Sequence, residues 1–303
     1  MERFREDNIG RAVAAILFSV LALSFGDAVI KSFSVAFSIW QLFVVRSIFA
    51  GAFLIALIKL RQPQVSLLPV AVRWTALRSF LLALSLASFY SALPHVHLAV
   101  AATLYYTIPL FIALFSALFT RDPVGPRSWF AITLGFAGIV IIVRPEAGEF
   151  NAYALVPMAA AVFYALAAVL TRTKCRHEKP LVLALSVNAA FIGVGVAASL
   201  LILVFNPMAS MPAGDAFLLG GWAPLAAKEW LVMGVLAAAV TIGWIFAAVA
   251  YQSGPSPVVA AFDYSYIIFS ALWGLVFFAE IPGLPTLAGM AMIVGGGVLI
   301  TRR

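Results

Sequence analysis

The chain has 303 residues, of which 64% are hydrophobic and only 10% are charged, with a net charge of +7. A soluble domain carries about 25% charged residues, so a soluble protein of this length would have too few charges to cover its surface. The excess of Lys and Arg is typical of the cytoplasmic side of a membrane protein, which explains the charge better than nucleic-acid binding does.

The apolar residues cluster in ten runs of about 17 to 24 residues, long enough to cross a hydrocarbon core of about 30 Å as helices. The strands of a transmembrane barrel would instead show about ten residues of alternating polarity. We therefore predict an all-α membrane protein with ten transmembrane helices. The predicted spans are 10–30, 38–58, 74–93, 98–119, 126–143, 152–171, 181–204, 229–252, 257–279 and 285–301.

Lys and Arg residues are distributed unevenly between the two ends of these spans. If the N-terminus is cytoplasmic, fourteen of the 19 lie on the cytoplasmic side. Lys31, Arg144 and Lys228 lie on the opposite side, and Arg46 and Arg78 lie within spans. Because cytoplasmic loops carry the excess of positive charge, we predict that both termini are cytoplasmic.

A shift of 159 residues aligns the fourth and fifth spans with the ninth and tenth. Tyr105 then falls on Tyr264, and Pro123 and Pro126 fall on Pro282 and Pro285. The equal interval between the prolines is harder to attribute to chance than the apolar matches. We therefore predict two five-helix units, 1–150 and 151–303. Because five is odd, the second unit enters the membrane from the opposite side, as in the inverted repeats of secondary transporters.

Two segments carry a family resemblance. The first is AATLYYTIPLFIALFSALFTRDPVGPRSWFAITLGFAGIVII, with Pro109 and Leu110 in a helix, Asp122 at the turn and a glycine-bearing last helix. The second is VVAAFDYSYIIFSALWGLVFFAEIPGLPTLAGMAMIVGGGVLI, with Glu280 at the turn and Ile268 where the first has Pro109. The whole chain resembles the drug/metabolite transporter superfamily in its EamA-type, two-unit form, and looks most like the bacterial exporters of amino acids, the aromatic ones included.

The resemblance implies a multi-pass protein of the bacterial cytoplasmic (inner) membrane that exports a small-molecule substrate. The residues add polar stripes at helical spacing in six spans: the first, third, fourth, sixth, eighth and ninth. Because polar faces avoid lipid, these six helices are expected to surround a wet cavity, where the family resemblance also places its substrate. The alternative is that the stripes are packing seams of small residues.

Aromatic and polar side chains within these spans are the candidate substrate-binding residues. Aromatic walls suit a flat apolar side chain, although aromatic residues near the ends of spans also serve as interface anchors, the alternative for Tyr90 and Tyr251. The candidates are Tyr106, Tyr164, Trp244, Tyr251, Asp263, Tyr264, Tyr266, Tyr105, Tyr90 and Ser88.

Asp263 is a carboxylate within an apolar span, six residues beyond Pro257. An intramembrane carboxylate is a functional candidate by default, so Asp263 is expected to couple transport to an ion or to attract a substrate ammonium group. The alternative is a structural carboxylate bonded to a Tyr hydroxyl or paired with Arg78.

Asp27 and Arg46 are further charged residues within predicted spans. Asp27 precedes Lys31 by four residues, which is the spacing of an ion pair on one helix. Arg46 lies about eight residues into the second span, where it either binds a substrate carboxylate or anchors the helix.

The functional prediction is a secondary transporter for small amphipathic metabolites, most consistent with neutral or aromatic amino acids. The alternatives are a carrier for other metabolites or drugs and, in a different class, a membrane receptor or scaffold. We expect no enzyme activity, metal or cofactor, because no catalytic pair, ligand cluster or nucleotide-binding loop can be assembled. The expected partners are the substrate and the lipid bilayer, without nucleic acid, and a monomer is the expected assembly.

Overall fold

The computed structural model describes residues 9–61, 63–108, 110–111, 114–115, 126–143, 152–175, 178–205, 216–253 and 262–301. These ranges contain no strand and ten helices of eight or more residues. The helices are α1 (Ile9–Ser32), α2 (Ile39–Arg61), α3 (Val72–Ala92), α4 (Leu98–Tyr105), α5 (Pro126–Val143), α6 (Val156–Thr173), α7 (Pro180–Phe205), α8 (Ala227–Ser253), α9 (Ser265–Phe278) and α10 (Leu284–Thr301).

Six helical segments in the described part of the chain are long and apolar enough to cross a membrane. They lie in α1, α2, α3, α7 and α8, and in α6 together with the 3-10 turn that precedes it. Shorter apolar helices occur at 133–142, Ser265–Phe278 and 284–296. The predicted all-α membrane class is thereby confirmed.

Prolines mark the beginnings of four helices, including α10, whose second residue is Pro285. Pro126 and Pro180 are the first residues of α5 and α7, and Pro157 lies in the first turn of α6. A proline at this position loses no hydrogen bond, because the first N–H groups of a helix have no partner within it. These starts agree with the predicted spans to within a few residues.

The fourth and ninth predicted spans are not continuous helices. α4 ends at Tyr105, residues 106–107 form a turn, and residue 108 is helical again. Residues 262–263 are helical, Tyr264 is a turn residue, and α9 then begins at Ser265.

Tighter backbone hydrogen bonds replace the regular ones at both breaks. Thr107 N donates to Leu104 O at 3.3 Å, and the Thr107 hydroxyl donates to the same carbonyl at 2.7 Å. At the second break, Ile267 N donates to Tyr264 O at 3.1 Å. A hydroxyl that donates to a helix carbonyl competes with the backbone N–H for it and favours a local bend. A prediction based on apolar runs does not detect this competition.

Each of the central helices packs against helices distant in sequence. α1 lies along α8 and α9, and α6 lies along α3 and α4. α2 packs on α7 and also on α8, and α3 packs on α7 as well as on α6. α4 contacts α9, and α5 lies along α10.

Glycines allow close approach at two of these crossings. A Cβ on Gly195 of α7 would lie 2.9 Å from the Trp40 carbonyl oxygen of α2. A Cβ on Gly138 of α5 would lie 2.8 Å from the Gly289 carbonyl oxygen of α10. Both distances are below contact, so the helix backbones meet where side chains are absent, as is common between membrane helices.

Candidate functional site

A cluster of tyrosines occupies the region where the two broken spans meet. The Tyr106 ring stacks on Tyr266 with centroids 4.6 Å apart and an interplanar angle of 20°. It also meets the edges of Tyr264 at 6.1 Å and Tyr105 at 6.3 Å. The turns at 106–107 and 264 therefore bring tyrosines of both spans into one aromatic group, the tyrosine cluster.

The tyrosine cluster continues into α3 and α6. Tyr105 meets Tyr164 edge-on at 6.1 Å and lies 4.7 Å from Phe89, which contacts Tyr90 at 5.7 Å. Six predicted site residues are thus joined by ring contacts: Tyr90, Tyr105, Tyr106, Tyr164, Tyr264 and Tyr266. Phe89 links Tyr90 to the others. It was not among the predicted site residues, because it is apolar like most residues of its span.

Hydroxyl groups give this aromatic surface its polar points. The Ser85 hydroxyl lies 3.4 Å from the Tyr105 hydroxyl and donates to the Ala160 carbonyl at 2.8 Å. The Tyr264 hydroxyl is buried without a hydrogen-bond partner among the described residues. An unpaired buried hydroxyl is costly, so Tyr264 is available to a bound molecule.

Asp263 borders the tyrosine cluster without being tied to it. It is half-buried, and no hydrogen bond or ion pair of its carboxylate occurs within the described ranges. It interacts electrostatically with Tyr164 and Tyr264. Arg78 instead donates its Nε–H to the Thr171 hydroxyl at 2.6 Å. The alternative that Asp263 pairs with Arg78 is therefore wrong.

The predicted ion pair between Asp27 and Lys31 is also wrong. Asp27 is buried and accepts a hydrogen bond from the Tyr266 hydroxyl. Lys31 forms an ion pair with Glu280, 249 residues away in sequence, with both side chains about nine-tenths buried. Tertiary packing offers each group a partner that is better placed than its neighbour on the same helix.

Glu280 joins three parts of the chain at one end of the bundle. Its Oε1 pairs with Lys31, and its Oε2 accepts the N–H of Leu98 at 2.8 Å, at the start of α4. Lys31 also donates to the Val96 carbonyl at 2.8 Å. A carboxylate at a helix N-terminus is favourable because the first N–H groups need acceptors. We call Lys31, Glu280 and the Val96–Leu98 backbone the latch.

The turn after α9 holds Glu280 in position. Ala279 has a left-handed backbone with φ 54°, and Glu280 N donates to Gly274 O at 3.1 Å. This is the way many helices end, usually with glycine at the left-handed position.

Arg46 is buried deep in α2, with 1% of its surface exposed. Its guanidinium lies 5.2 Å from the Phe191 ring, 5.7 Å from Phe43 and 5.9 Å from Tyr90. Nη1 donates to the Tyr90 hydroxyl at 3.4 Å, and Nε has no partner among the described residues.

Three further predicted site residues lie on α8 and α3. Trp244 and Tyr251 lie in α8, but their side chains are outside the described part of the structure. Ser88 is half-buried, and its carbonyl accepts the Ser91 hydroxyl at 2.8 Å. Ser85, one turn earlier on α3, makes the contact with the tyrosines instead.

The arrangement suits binding rather than covalent chemistry. It combines stacked rings, a free hydroxyl and a carboxylate, which can hold a flat molecule with polar ends. No group of three or more His, Cys, Asp or Glu residues that could hold a metal occurs among the described residues.

Comparison with known proteins finds similarity to transporters. Residues 10–144 match the EamA-like transporter family. The chain is 28% identical to the pseudopaline exporter CntI of Pseudomonas aeruginosa over 95% of its length and 96% of that protein. It is 29% identical to a riboflavin transporter of Vibrio cholerae, covering 76% of this chain and 71% of that protein.

A third relative is an S-adenosylmethionine uptake transporter of Rickettsia felis, 21% identical over 74% of this chain and 70% of that protein. These relatives are transporters and not enzymes, as expected. They support a small-molecule substrate without singling out amino acids.

A solved crystal structure of a protein also resembles the chain, with a TM-score of 0.62 at 22% identity over 96% of both chains. This similarity supports the fold alone. The chain is thus similar to the EamA-like transporter family over residues 10–144, and to a pseudopaline exporter of Pseudomonas aeruginosa along nearly its whole length.

Proposed function

We propose that the protein is a secondary transporter that moves small amphipathic metabolites across the bacterial cytoplasmic membrane by alternating access. In this proposal two inverted five-helix units, 1–150 and 151–303, rock around a site between them, and both termini are cytoplasmic. Inverted repeats of this kind expose one central site alternately to each side.

The helix pairing is the observation that carries the proposal. In this proposal α1 to α5 correspond in order to α6 to α10. Exchanging each helix for its counterpart turns the α1–α8 pair into α6–α3, and the α1–α9 pair into α6–α4. Both members of each exchange occur. The pairs α2–α7, α4–α9 and α5–α10 map onto themselves and also occur. This pattern is what two units related by a two-fold axis would produce.

The boundary of the family match agrees with the proposed units. The match ends at residue 144, just before the proposed boundary at 150. The two helix breaks lie at Tyr106–Thr107 and at Tyr264, and the shift of 159 residues places Tyr264 on Tyr105, directly before the first break. Interrupted helices in equivalent places of the two halves are the expected position of a transporter's substrate site.

The tyrosine cluster is the proposed binding surface, with Tyr105, Tyr106, Tyr164, Tyr264 and Tyr266 as its walls. Asp263 is the proposed coupling or orienting residue, because its carboxylate has no partner in the described structure and borders the cluster. Tyr90, Ser88, Trp244 and Tyr251 remain proposed contacts.

Neutral or aromatic amino acids are the proposed substrates, because stacked tyrosines suit a flat side chain and a carboxylate suits an ammonium group. Other metabolites fit equally well, since the relatives carry names for pseudopaline, riboflavin and S-adenosylmethionine. Export is the proposed direction. A receptor or scaffold is the alternative of another class, and it would bind a ligand without moving it.

Uptake into liposomes containing the purified protein tests the proposal. The assay measures labelled phenylalanine, threonine, methionine and riboflavin, with and without a pH gradient. Saturable uptake above that of empty liposomes supports a carrier, and dependence on the gradient supports proton coupling. Thermal stabilisation by one of these compounds without any flux would favour the receptor alternative.

A further inference from the structure

The charge of Arg46 is only partly compensated by the described protein groups around it. α2 begins at Ile39, so Arg46 lies about 10 Å along the helix from its end, at 1.5 Å per residue. A charge at such depth is expensive unless it is paired. Within the described residues, Arg46 forms no ion pair.

The nearest groups stabilise the charge only in part. The rings of Phe43, Tyr90 and Phe191 surround the guanidinium at centroid distances of 5.2–5.9 Å, and such contacts are individually modest. The Tyr90 hydroxyl accepts a long hydrogen bond of 3.4 Å. Nε keeps a buried donor without an acceptor.

Asp27 does not fill this role. Its carboxylate accepts the Tyr266 hydroxyl and interacts electrostatically with Arg46 and Tyr90, but no Asp27–Arg46 ion pair within 4.0 Å occurs. Tyr90 therefore lies between the Asp27 carboxylate, which is hydrogen-bonded to Tyr266, and the Arg46 guanidinium, which has no ion pair among the described residues. An anion that reached Arg46 would meet free donors and a positive charge in an apolar enclosure.

We infer that Arg46 binds a carboxylate group of the transported molecule. A guanidinium presents its donors as a planar fork that matches a carboxylate, and the low dielectric strengthens the contact. The nearby rings of Phe43 and Phe191 would accept the apolar part adjoining the carboxylate. This inference rests on the proposed transport function and narrows its substrates to molecules that carry a carboxylate.

The site lies beside the tyrosine cluster and shares Tyr90 with it. A substrate whose carboxylate binds Arg46 could place its aromatic or cationic part toward Tyr266 and Asp27. Because Arg46 is 1% exposed, the carboxylate reaches it only when the helices open, as alternating access requires.

Binding measurements on the purified full chain test the inference. The probes are L-phenylalanine, its amide L-phenylalaninamide, and phenylacetate, and the readout is ligand-dependent thermal stabilisation. For the wild type we expect both carboxylates to bind about tenfold or more tightly than the amide, since hydrogen bonds to charged groups are the strong ones. Arg46→Gln should bring the acid-to-amide ratio to about 1.

A matched variant separates recognition from a structural role. Ser47→Ala changes the buried neighbour of Arg46 on α2, whose hydroxyl has no partner among the described residues, so the ratio should stay above about tenfold. A merely structural Arg46 would weaken binding of acid and amide alike and leave their ratio unchanged. Should Arg46→Gln fail to fold, the acid-to-amide ratio is compared between the wild type and Arg46→Lys. A lower ratio in Arg46→Lys supports carboxylate recognition by Arg46, and an unchanged ratio overturns it.

The failures of the two proposals are distinguishable. Equal binding of acid and amide by the wild type, or an unchanged ratio in Arg46→Gln, overturns the inference. Riboflavin uptake by a protein that neither carboxylate stabilises also overturns it and leaves the transport function in place. Carboxylate binding without any flux supports the Arg46 site and overturns transport.

Discussion

Asp263 and Arg46 are charged residues within predicted spans, and both lack a charged partner in the described structure. Soluble proteins seldom bury such groups, and a membrane protein does so where a ligand or an ion supplies the partner. Asp27, Lys31 and Glu280, by contrast, are all engaged with protein groups. We therefore propose that Asp263 and Arg46 are the charged residues available to a ligand.

Asp263→Asn tests the coupling role with almost no change in volume. We expect uptake into liposomes to fall at least about tenfold, or to lose its dependence on a pH gradient, because the amide cannot carry the charge. Glu229→Gln is the matched control, since Glu229 lies at the beginning of α8 and caps the Ala226 N–H at 3.0 Å. Unchanged uptake and gradient dependence in Asp263→Asn would remove Asp263 from the mechanism.

Sequence reasoning located individual residues better than their partners. Asp263 and Arg46 stand out because a charge within an apolar run is visible in one dimension. The partner of Lys31 is not visible, because it lies 249 residues away and the i+4 spacing to Asp27 offers a local alternative. Phe89 was missed because an apolar ring among apolar residues carries no signal.

At the scale of elements, the α2–α7 crossing depends on a single glycine. A Cβ at Gly195 would lie 2.9 Å from the Trp40 carbonyl and 2.8 Å from Val44 Cγ2, whereas a Cβ at Gly193 meets nothing within 4 Å. Gly195→Ala should therefore lower thermal stability by the equivalent of about 1–3 kcal/mol through overpacking.

Gly193→Ala is the matched control two residues earlier on the same helix. It should leave the unfolding temperature unchanged or slightly higher, because alanine favours the helix and nothing is displaced. Equal effects of the two substitutions, measured by thermal unfolding in detergent, would mean that α2 and α7 do not meet at Gly195.

The latch joins α1, the beginning of α4 and the turn after α9. Replacing either charge should destabilise the protein by about 1–3 kcal/mol, below the effect for fully buried pairs because about a tenth of each side chain is exposed. A double-mutant cycle of Lys31→Met and Glu280→Gln should show a coupling energy of about 1 kcal/mol or more. Additive effects would contradict a direct pair.

The helices illustrate why some elements were predictable and others were not. The spans of α2, α5 and α10 follow from long apolar runs that end at prolines or basic residues, and their bounds agree closely. The breaks at Tyr106 and Tyr264 do not follow, because Thr107 and Tyr264 are compatible with a helix in isolation. The tyrosine packing between the two spans accompanies each turn, and that packing exists only in the folded bundle.

At the scale of the whole molecule, the proposed orientation rests on the distribution of positive charge. Val35, between α1 and α2, is 92% exposed, and Leu68, between α2 and α3, is 77% exposed. With Cys175 replaced by Ser, a cysteine at Val35 should react with a membrane-impermeant maleimide in intact cells. A cysteine at Leu68 should react only after permeabilisation, and the opposite pattern would reverse the orientation.

The symmetry of the helix pairing links the fold to the proposed activity. In the proposed mechanism, two units that contact each other through α1–α8 and α3–α6 tilt about their common axis, and the latch holds together the parts of the chain at one end of the bundle. Opening that end requires Lys31 and Glu280 to separate. We therefore predict that the protein is a carrier that moves one substrate molecule per conformational cycle, and that it does not form an open channel.

Counterflow in liposomes tests this claim most directly. Liposomes containing the protein are loaded with unlabelled phenylalanine, or with riboflavin if that is the compound taken up, and diluted into a trace of the labelled form. Alternating access predicts that the label accumulates transiently inside above its equilibrium level. Each unlabelled molecule that leaves brings the binding site to the outside, where the site binds a labelled molecule and carries it in. Equilibration of the label without any transient excess would contradict a carrier.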